Sequence, residues 1–113
     1  MEKKVLVPVA QGTEEMEAIT LIDVLRRAGA EVIVASVDEL FIKASGGIEF
    51  KADRLIKDCL EEEFDLIVLP GGIPGAGNLR DSKPLEILLK RQAEQQKLYG
   101  AICASPALVL HHH

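Results

Sequence analysis

The chain has 113 residues, of which 48% are hydrophobic and 27% charged, and its formal net charge is -5 at neutral pH. This composition is typical of one soluble globular domain with its own core and argues against a disordered or fibrous protein. Because the sequence has no stripe rich in lysine and arginine, we expect neither nucleic-acid binding nor attraction to an acidic membrane surface. Small molecules and other proteins remain as the expected partners.

The cysteine and histidine content indicates the cellular compartment and bears on whether a metal site is present. Two cysteines, Cys59 and Cys103, are too few for a disulfide framework, so a reducing compartment is expected. No apolar stretch approaches the roughly 18 residues of a membrane helix, and no signal peptide precedes the first strand. We expect a cytoplasmic protein, or a plastid protein if a transit peptide was removed. Residues 111–113 are the only histidines, which we interpret as part of a purification tag and not as a metal site.

The first elements in chain order are a strand and a helix. The apolar run KKVLVPVA, residues 3–10, predicts a strand that is buried on both faces. Thr13 is expected to cap the helix that follows, because threonine is a favoured N-cap residue. Three glutamates after it place negative charge in the first turn, which the helix dipole favours. Gly29 is expected to end that helix.

A second strand and a hairpin come next. AEVIVASV, residues 30–37, predicts the strand. Residues 40–52 predict a hairpin around the ASGG turn, which we expect to add antiparallel strands at one edge of the main sheet. Asp53 is then expected to cap a short helix that turns Cys59 and its apolar neighbours inward.

The remaining chain predicts two further core strands and a helix between them. FDLIVLPGG, residues 64–72, is a third buried strand that ends in paired glycines, and IPGAGN, residues 73–78, is expected to be a loop. Ser82 and Pro84 start a helix, and LYGAIC, residues 98–103, is the fourth core strand.

Strands that alternate with helices predict an α/β fold in which a mainly parallel sheet is covered on both faces. In such a sheet the functional groups lie in the loops at the carboxyl ends of the strands. Three loops are expected to meet there: AQGTEE after the first strand, PGGIPG after the third, and the corner at Cys103 after the fourth.

Cys103 is the first candidate for chemistry. It precedes a Ser-Pro pair that is expected to start a helix, and the unpaired N–H groups at a helix N-terminus favour a thiolate and lower the thiol pKa. The alternative is a buried cysteine that serves only as a small hydrophobic residue. Cys59, which lies among leucines in a helical pattern, favours that second interpretation.

Glu17 is the second candidate. At 100° per residue it falls in line with Leu21, Val24 and Ala28, so we expect a carboxyl group at the head of the buried stripe of the first helix. Burial would raise its pKa, and a protonated carboxyl could donate a hydrogen bond to a nearby thiolate. The alternative is an acid in the first turn that only stabilises the helix dipole.

Gly71 and Gly72 form the third candidate, because paired glycines let backbone N–H groups approach a ligand or a developing oxyanion. The alternative is a simple Gly-Gly turn. Nucleotide binding is not expected, since the loop after the first strand has one glycine and carboxylates that would repel a pyrophosphate.

Three stretches together resemble the ThiJ/PfpI (DJ-1) superfamily, and its DJ-1 branch with plant-like members in particular. They are VPVAQGTEEMEAITLIDVLRRAGAEVIVASV, DLIVLPGGIPGAGNL and YGAICASPALVL, which lie in order along residues 3–110. The resemblance implies a flavodoxin-like three-layer sandwich. It implies that Cys103 is the reactive nucleophile, that Glu17 is the carboxyl partnered with it, and that Gly71, Gly72 and Ala104 form the oxyanion and substrate-binding site.

The implied activity is conversion of methylglyoxal or glyoxal to hydroxy acids of the glyoxalase III type, or a related deglycation, without a cofactor. The alternative within the family is a redox sensor or chaperone that works through oxidation of Cys103. A weaker interpretation is an amidotransferase-like hydrolase. Ala104 after the cysteine, where the intracellular proteases of the superfamily have histidine, argues against that branch.

The resemblance also implies a homodimer through the first helix and a longer domain. Met16 and Ile19 are expected on the polar side of that helix, where a monomer gains nothing by exposing them. The family domain supplies a histidine near the cysteine, and this chain has none outside residues 111–113. We therefore expect residues 1–110 to be a family domain that is shortened at its C-terminal side.

Overall fold

Residues 3–101 of the chain are described by a computed structural model. Their elements follow one another as β1 (Lys4–Val9), α1 (Glu15–Arg27), β2 (Glu31–Ser36), β3 (Phe41–Lys43), β4 (Glu49–Lys51), β5 (Arg54–Leu55), a 3-10 helix (Ile56–Cys59), β6 (Leu66–Leu69), α2 (Ile73–Arg80), α3 (Lys83–Glu94) and β7 (Leu98–Ala101).

Five of the strands form one parallel sheet in the order β5-β2-β1-β6-β7. Val5 of β1 is in register with Val32 of β2 on one side and with Leu66 of β6 on the other, and Leu66 is in register with Leu98 of β7. The apolar runs predicted as core strands therefore lie in a single sheet. This arrangement confirms the α/β class and the mainly parallel sheet.

The sheet carries a layer on each face, since successive residues of a strand point to opposite sides. Val5, Val7 and Val9 pack toward α1 and the β3–β4 hairpin. Leu6 packs on the other face, with residues of α2, α3 and the 3-10 helix. The result is the expected three-layer sandwich.

The hairpin is antiparallel, as predicted, but it does not extend the main sheet. β3 and β4 pair only with each other, with Ile42 opposite Phe50, and form a separate two-stranded sheet. The reason is packing: Ile42 and Ala52 are buried in the core on the α1 side, so the hairpin lies over that face of the sheet. The prediction of an edge addition is wrong.

The edge of the main sheet next to β2 is β5, which follows the hairpin. Ala35 and Arg54 are in register, and the Asp53 carboxylate accepts a hydrogen bond from the Val34 N–H at 2.9 Å. Asp53 therefore fastens β5 to β2 and does not cap a helix. The 3-10 helix that follows has Leu55 as its N-cap, without a side-chain hydrogen bond.

The N-cap of α1 is Glu14, whose side chain accepts from the Met16 N–H, so the prediction of Thr13 is off by one residue. The Thr13 side chain is fully buried, and its hydroxyl accepts from the Ala10 N–H at 2.9 Å. Because the hydroxyl closes the turn that leaves β1, it is not available to cap the helix.

The apolar stripe predicted for α1 is also wrong in two of its members. Val24 is 57% exposed and Ala28 is exposed, whereas Ala18, Ile22 and Leu25 pack against the sheet. α1 lies over β1 and β2, and the side of the helix that faces these strands is the one next to the predicted stripe.

The IPGAGN segment, predicted to be a loop, forms the larger part of α2. Gly72 is its N-cap, Pro74 lies in its first turn, and Ala76 and Leu79 are fully buried. Proline is well tolerated at that position, since its missing N–H has no partner in a helix. Gly75 marks a close approach to the β1–α1 loop, since a Cβ there would lie 2.5 Å from the Thr13 Cα, whereas a Cβ on Gly77 would have nothing within 4 Å.

α3 starts where the sequence predicts, and β7 joins the main sheet as predicted, but as its edge strand with Leu98 exposed. Ile102 and Cys103, predicted as the last residues of this strand, lie outside the described residues. The Ser82 hydroxyl accepts from the Leu85 N–H at the start of α3, as expected for its N-cap. Gln92 in the last turns of α3 is buried, and its amide donates to the carbonyls of Phe64 and Leu98, each at 3.0 Å. Among residues 3–101, none of the helices has the length and apolar character needed to cross a membrane.

We predict that Gln92→Leu lowers the free energy of unfolding by about 1–3 kcal/mol, because a buried carbonyl and a partly buried one lose their donor. Gln95→Leu is the matched control, since Gln95 is an exposed glutamine that follows α3. Urea denaturation should show almost no change for the control. Equal midpoints for the two variants would mean that the Gln92 bonds add no stability.

Candidate active site

Two of the three loops expected to converge do meet at the carboxyl edge of the sheet. The Glu14 N–H donates to the Gly71 carbonyl at 3.1 Å, and the Gly75 N–H donates to the Gly12 carbonyl at 3.1 Å. The third loop lies outside the described residues, of which the last is Ala101 of β7, in register with Leu69 of β6. Cys103 and Ala104 lie outside the described residues, so their predicted roles remain predictions.

Glu17 lies within this group of loops. Its Oε1 accepts a hydrogen bond from the Gly71 N–H at 2.9 Å, and its side chain is half-buried. This bond holds the Glu17 side chain in an orientation that directs its carboxyl from α1 to the loop after β6. Its partnership with Cys103 stays a prediction.

Gly71 was expected to offer its N–H to an oxyanion, and in the structure that N–H is bonded to Glu17. A charged acceptor strengthens such a bond. An oxyanion could take over this donor only if the Glu17 carboxyl gave it up, for example on accepting a proton. The availability of the Gly71 N–H therefore depends on the Glu17 carboxyl.

Gly72 has a backbone conformation that only glycine adopts readily, with φ of 97°. A Cβ at this residue would lie 2.7 Å from the Glu14 nitrogen and 2.7 Å from the Gly12 carbonyl oxygen. The residue is therefore needed both for its positive φ and for the close contact between the loops.

Glu15, which was not a candidate from the sequence, has a side chain that is only 8% exposed. Its carboxylate accepts from the N–H groups of Gly46 and Ile48 and from the Ser45 hydroxyl, all in the turn between β3 and β4. Three glutamates in the first turn look alike in sequence. No local signal separates the one that contacts this turn.

Hydrogen bonds lower the pKa of the Glu15 carboxyl, first that from its own backbone N–H and then, against the opposite effect of burial, those from Gly46, Ile48 and Ser45. The carboxylate therefore stabilises the folded chain at neutral pH. That stabilisation is lost as the pH falls through the lowered pKa.

Cys59 is fully buried, and its Sγ lies 3.5 Å from the Leu55 carbonyl. Burial raises the pKa of the Cys59 thiol, and the nearby Glu62 carboxylate adds to the effect. A buried thiol with a raised pKa is a poor nucleophile, which agrees with the prediction that Cys59 serves packing.

A metal site is not evident in the part of the chain that the structure describes. Within residues 3–101, no group of three or more histidine, cysteine, aspartate or glutamate side chains is arranged to hold a metal ion.

The chain matches the DJ-1/PfpI family over residues 3–113. It is 52% identical over 107 residues to protein DJ-1 homolog B of Arabidopsis thaliana, which covers 94% of this chain and 24% of the relative. It is 37% identical over 102 residues to the glutathione-independent glyoxalase DJR-1.2 of Caenorhabditis elegans, covering 90% of this chain and 54% of that protein.

Solved structures agree with this match. Oxidized DJ-1 of Toxoplasma gondii superposes with a TM-score of 0.96 at 54% identity and covers 97% of this chain and 61% of that one. DJ-1beta of Drosophila melanogaster superposes with a TM-score of 0.95 at 38% identity and covers 99% and 61%. The chain thus spans about a quarter of the Arabidopsis protein and about three-fifths of these two structures.

We predict that Gly72→Ala is more destabilising than Gly47→Ala by about 1–3 kcal/mol. The two glycines have nearly the same φ, 97° and 95°, but a Cβ on Gly47 would have nothing within 4 Å. The control therefore measures the cost of the positive φ alone. Thermal or urea unfolding gives both values, and equal values would contradict the close loop contact.

Proposed function

The chain belongs to the DJ-1/PfpI family, and from this premise we propose that the protein converts methylglyoxal or glyoxal to the corresponding hydroxy acid by glyoxalase III-type chemistry. The observation that carries the proposal is the hydrogen bond between Glu17 and Gly71 at the edge of the sheet where β7 ends. The name of the Caenorhabditis elegans relative, a glutathione-independent glyoxalase, supports the same reaction class.

The proposed reaction needs no external oxidant or reductant. When a 2-oxoaldehyde becomes a 2-hydroxy acid, the aldehyde carbon is oxidised, the neighbouring carbonyl carbon is reduced, and one water is added. The Cys103 thiolate attacks the aldehyde carbon and forms a hemithioacetal. A proton then moves from that carbon to its neighbour, and water releases the acid and restores the thiol. No organic cofactor or metal is required by this sequence of steps.

Glu17 is the group proposed to move the proton, since a half-buried carboxyl beside backbone donors can act as acid and base in turn. When Glu17 accepts the proton, its bond to the Gly71 N–H weakens, and that donor becomes available to the oxyanion. Gly72 and Ala104 are proposed to complete the oxyanion and substrate-binding site. A related deglycation would use the same nucleophile on aldehyde adducts of amines.

A second candidate function is redox sensing or chaperone activity through oxidation of Cys103. The solved DJ-1 of Toxoplasma gondii is an oxidized protein, which supports this alternative. A thiolate that attacks aldehydes is also a good target for peroxide, so the two functions share one requirement. Turnover of methylglyoxal by the purified protein distinguishes them.

We also propose a homodimer through the outer face of α1, in a protein of the cytoplasm or of a plastid. Met16 is 75% exposed and Ile19 is 48% exposed. They lie on the same helix as Asp23 and Arg27, which form an exposed ion pair. Two large apolar side chains on a charged face are typical of a contact surface.

We predict that Cys103 alkylates with iodoacetamide and oxidises to the sulfinate faster than Cys59, because only Cys103 is expected to be a thiolate at neutral pH. Glu17→Gln should preserve this reactivity and lower methylglyoxal turnover, since it keeps a hydrogen-bond donor but cannot carry the proton. Glu17→Leu should shift the thiol pKa itself. Mass spectrometry of alkylated peptides across a pH series measures the thiol reactivity and its pKa, and the rate of methylglyoxal loss measures turnover.

If Cys103 titrated near pH 8.5, about the value of a free cysteine, and reacted no faster than Cys59, the nucleophile would be refuted. Reactive Cys103 without turnover in the unsubstituted chain would favour the redox function over the enzymatic one.

We predict that Ile19→Glu converts the dimer to a monomer, because a carboxylate would be buried at the interface without a partner. Ile87→Glu is the matched control: Ile87 is 54% exposed on α3, which lies on the other face of the sheet. Multi-angle light scattering should give a dimer mass for the control and the unsubstituted chain. A monomer mass for the unsubstituted chain would contradict the proposed dimer.

A further inference from the structure

The carboxylate of Glu15 holds the turn at residues 45–48 against the start of α1. Oε1 accepts from the Gly46 N–H at 2.9 Å, and Oε2 accepts from the Ile48 N–H at 3.3 Å. The Ser45 hydroxyl lies 3.4 Å from Oε1. A carboxylate with several donors is held firmly in place, since any movement would leave backbone N–H groups without a partner.

The same turn of α1 is bonded on another side to the candidate site. Glu14 donates its N–H to the Gly71 carbonyl at 3.1 Å, and Glu17 accepts from the Gly71 N–H at 2.9 Å. Glu15 and Glu17 are two residues apart, which places them about 200° apart around a helix axis. The first turn of α1 therefore lies between the hairpin and the loop after β6 and is bonded to both.

We propose that Glu15 is a positioning residue of the candidate site, because its bonds to the turn at residues 45–48 set the rotation of α1 and so hold the Glu17 carboxylate against the Gly71 N–H. Its consequence for catalysis rests on the proposed function. The effect of Glu15 on the position of Glu17 does not rest on that function, because the bond between Glu17 and Gly71 can be measured in a protein with no activity.

Gly46 gives a second way to disturb the same contact. A Cβ on Gly46 would lie 2.7 Å from Oε2 and 2.9 Å from Oε1 of Glu15. Alanine at this residue would therefore displace the carboxylate without removing its charge. The displaced atoms are the end of a side chain, so the fold should survive the change.

The test is amide NMR of the 15N-labelled full chain with the variants Glu15→Gln and Gly46→Ala. The glutamine amide would set its NH2 group against a backbone N–H, which breaks one of the bonds to the turn. We expect hydrogen exchange at the Gly71 amide to rise by about tenfold, because Glu17 is no longer held in place. Its proton shift should move toward the value in Glu17→Leu, which has no side-chain acceptor and therefore defines the loss of the bond.

The matched control is Glu62→Gln, which removes a half-buried carboxylate that pairs with Lys4 and Arg54. Lys4 begins β1, so this cluster lies at the opposite end of the strand from the site. The control should lower stability and leave the Gly71 amide unchanged. If Glu15→Gln behaved in the same way, Glu15 would be a structural residue only and the proposal would be overturned.

Gly46→Ala decides the question should Glu15→Gln fail to fold: faster exchange at Gly71 supports the proposal, and unchanged exchange overturns it. The proposed function would be contradicted by a different result, namely that Cys103 of the unsubstituted chain titrates like a free cysteine. Because the Gly71 amide is measured without substrate or thiol reagent, the two failures can be told apart.

Discussion

The close approach between the β1–α1 loop and the start of α2 is the constraint on which the candidate site depends. The Gly75 N–H reaches the Gly12 carbonyl at 3.1 Å, and a Cβ on Gly75 would lie only 2.5 Å from the Thr13 Cα. A side chain on Gly75 would push the two loops apart. Because glycine lets them touch, the first turn of α1 lies within hydrogen-bond distance of Gly71. The candidate site is therefore formed from backbone groups and one carboxylate.

The hairpin shares in this arrangement although it lies outside the main sheet. The Gly12 N–H donates to the Lys43 carbonyl at 2.9 Å, and the Ser45 N–H donates to the Thr13 carbonyl at 2.9 Å. The side chain of Gln11 bonds to the same strand, at the Phe41 carbonyl and the Lys43 N–H. The β1–α1 loop is therefore bonded to the hairpin on one side and to the loop after β6 on the other.

Three glutamates at the start of α1 show how burial and partners divide similar groups. Glu14 caps the helix, Glu15 is buried against the hairpin turn, and Glu17 meets Gly71. All three place negative charge at the N-terminal end of α1, where the helix dipole favours it. Their separate roles follow from the elements that surround the helix.

The sequence by itself determined the parallel sheet, the α3 cap at Ser82 and the glycines at the carboxyl edge, since apolar runs, capping residues and glycine pairs are local signals. It also indicated Glu17 as a candidate, and the role that the family resemblance implies for this residue is part of the proposed function. Only the tertiary structure decided that the hairpin lies over the sheet, that IPGAGN is helical and that Val24 is exposed. These features depend on which element packs on which face, and that choice is made by contacts between residues distant in the sequence.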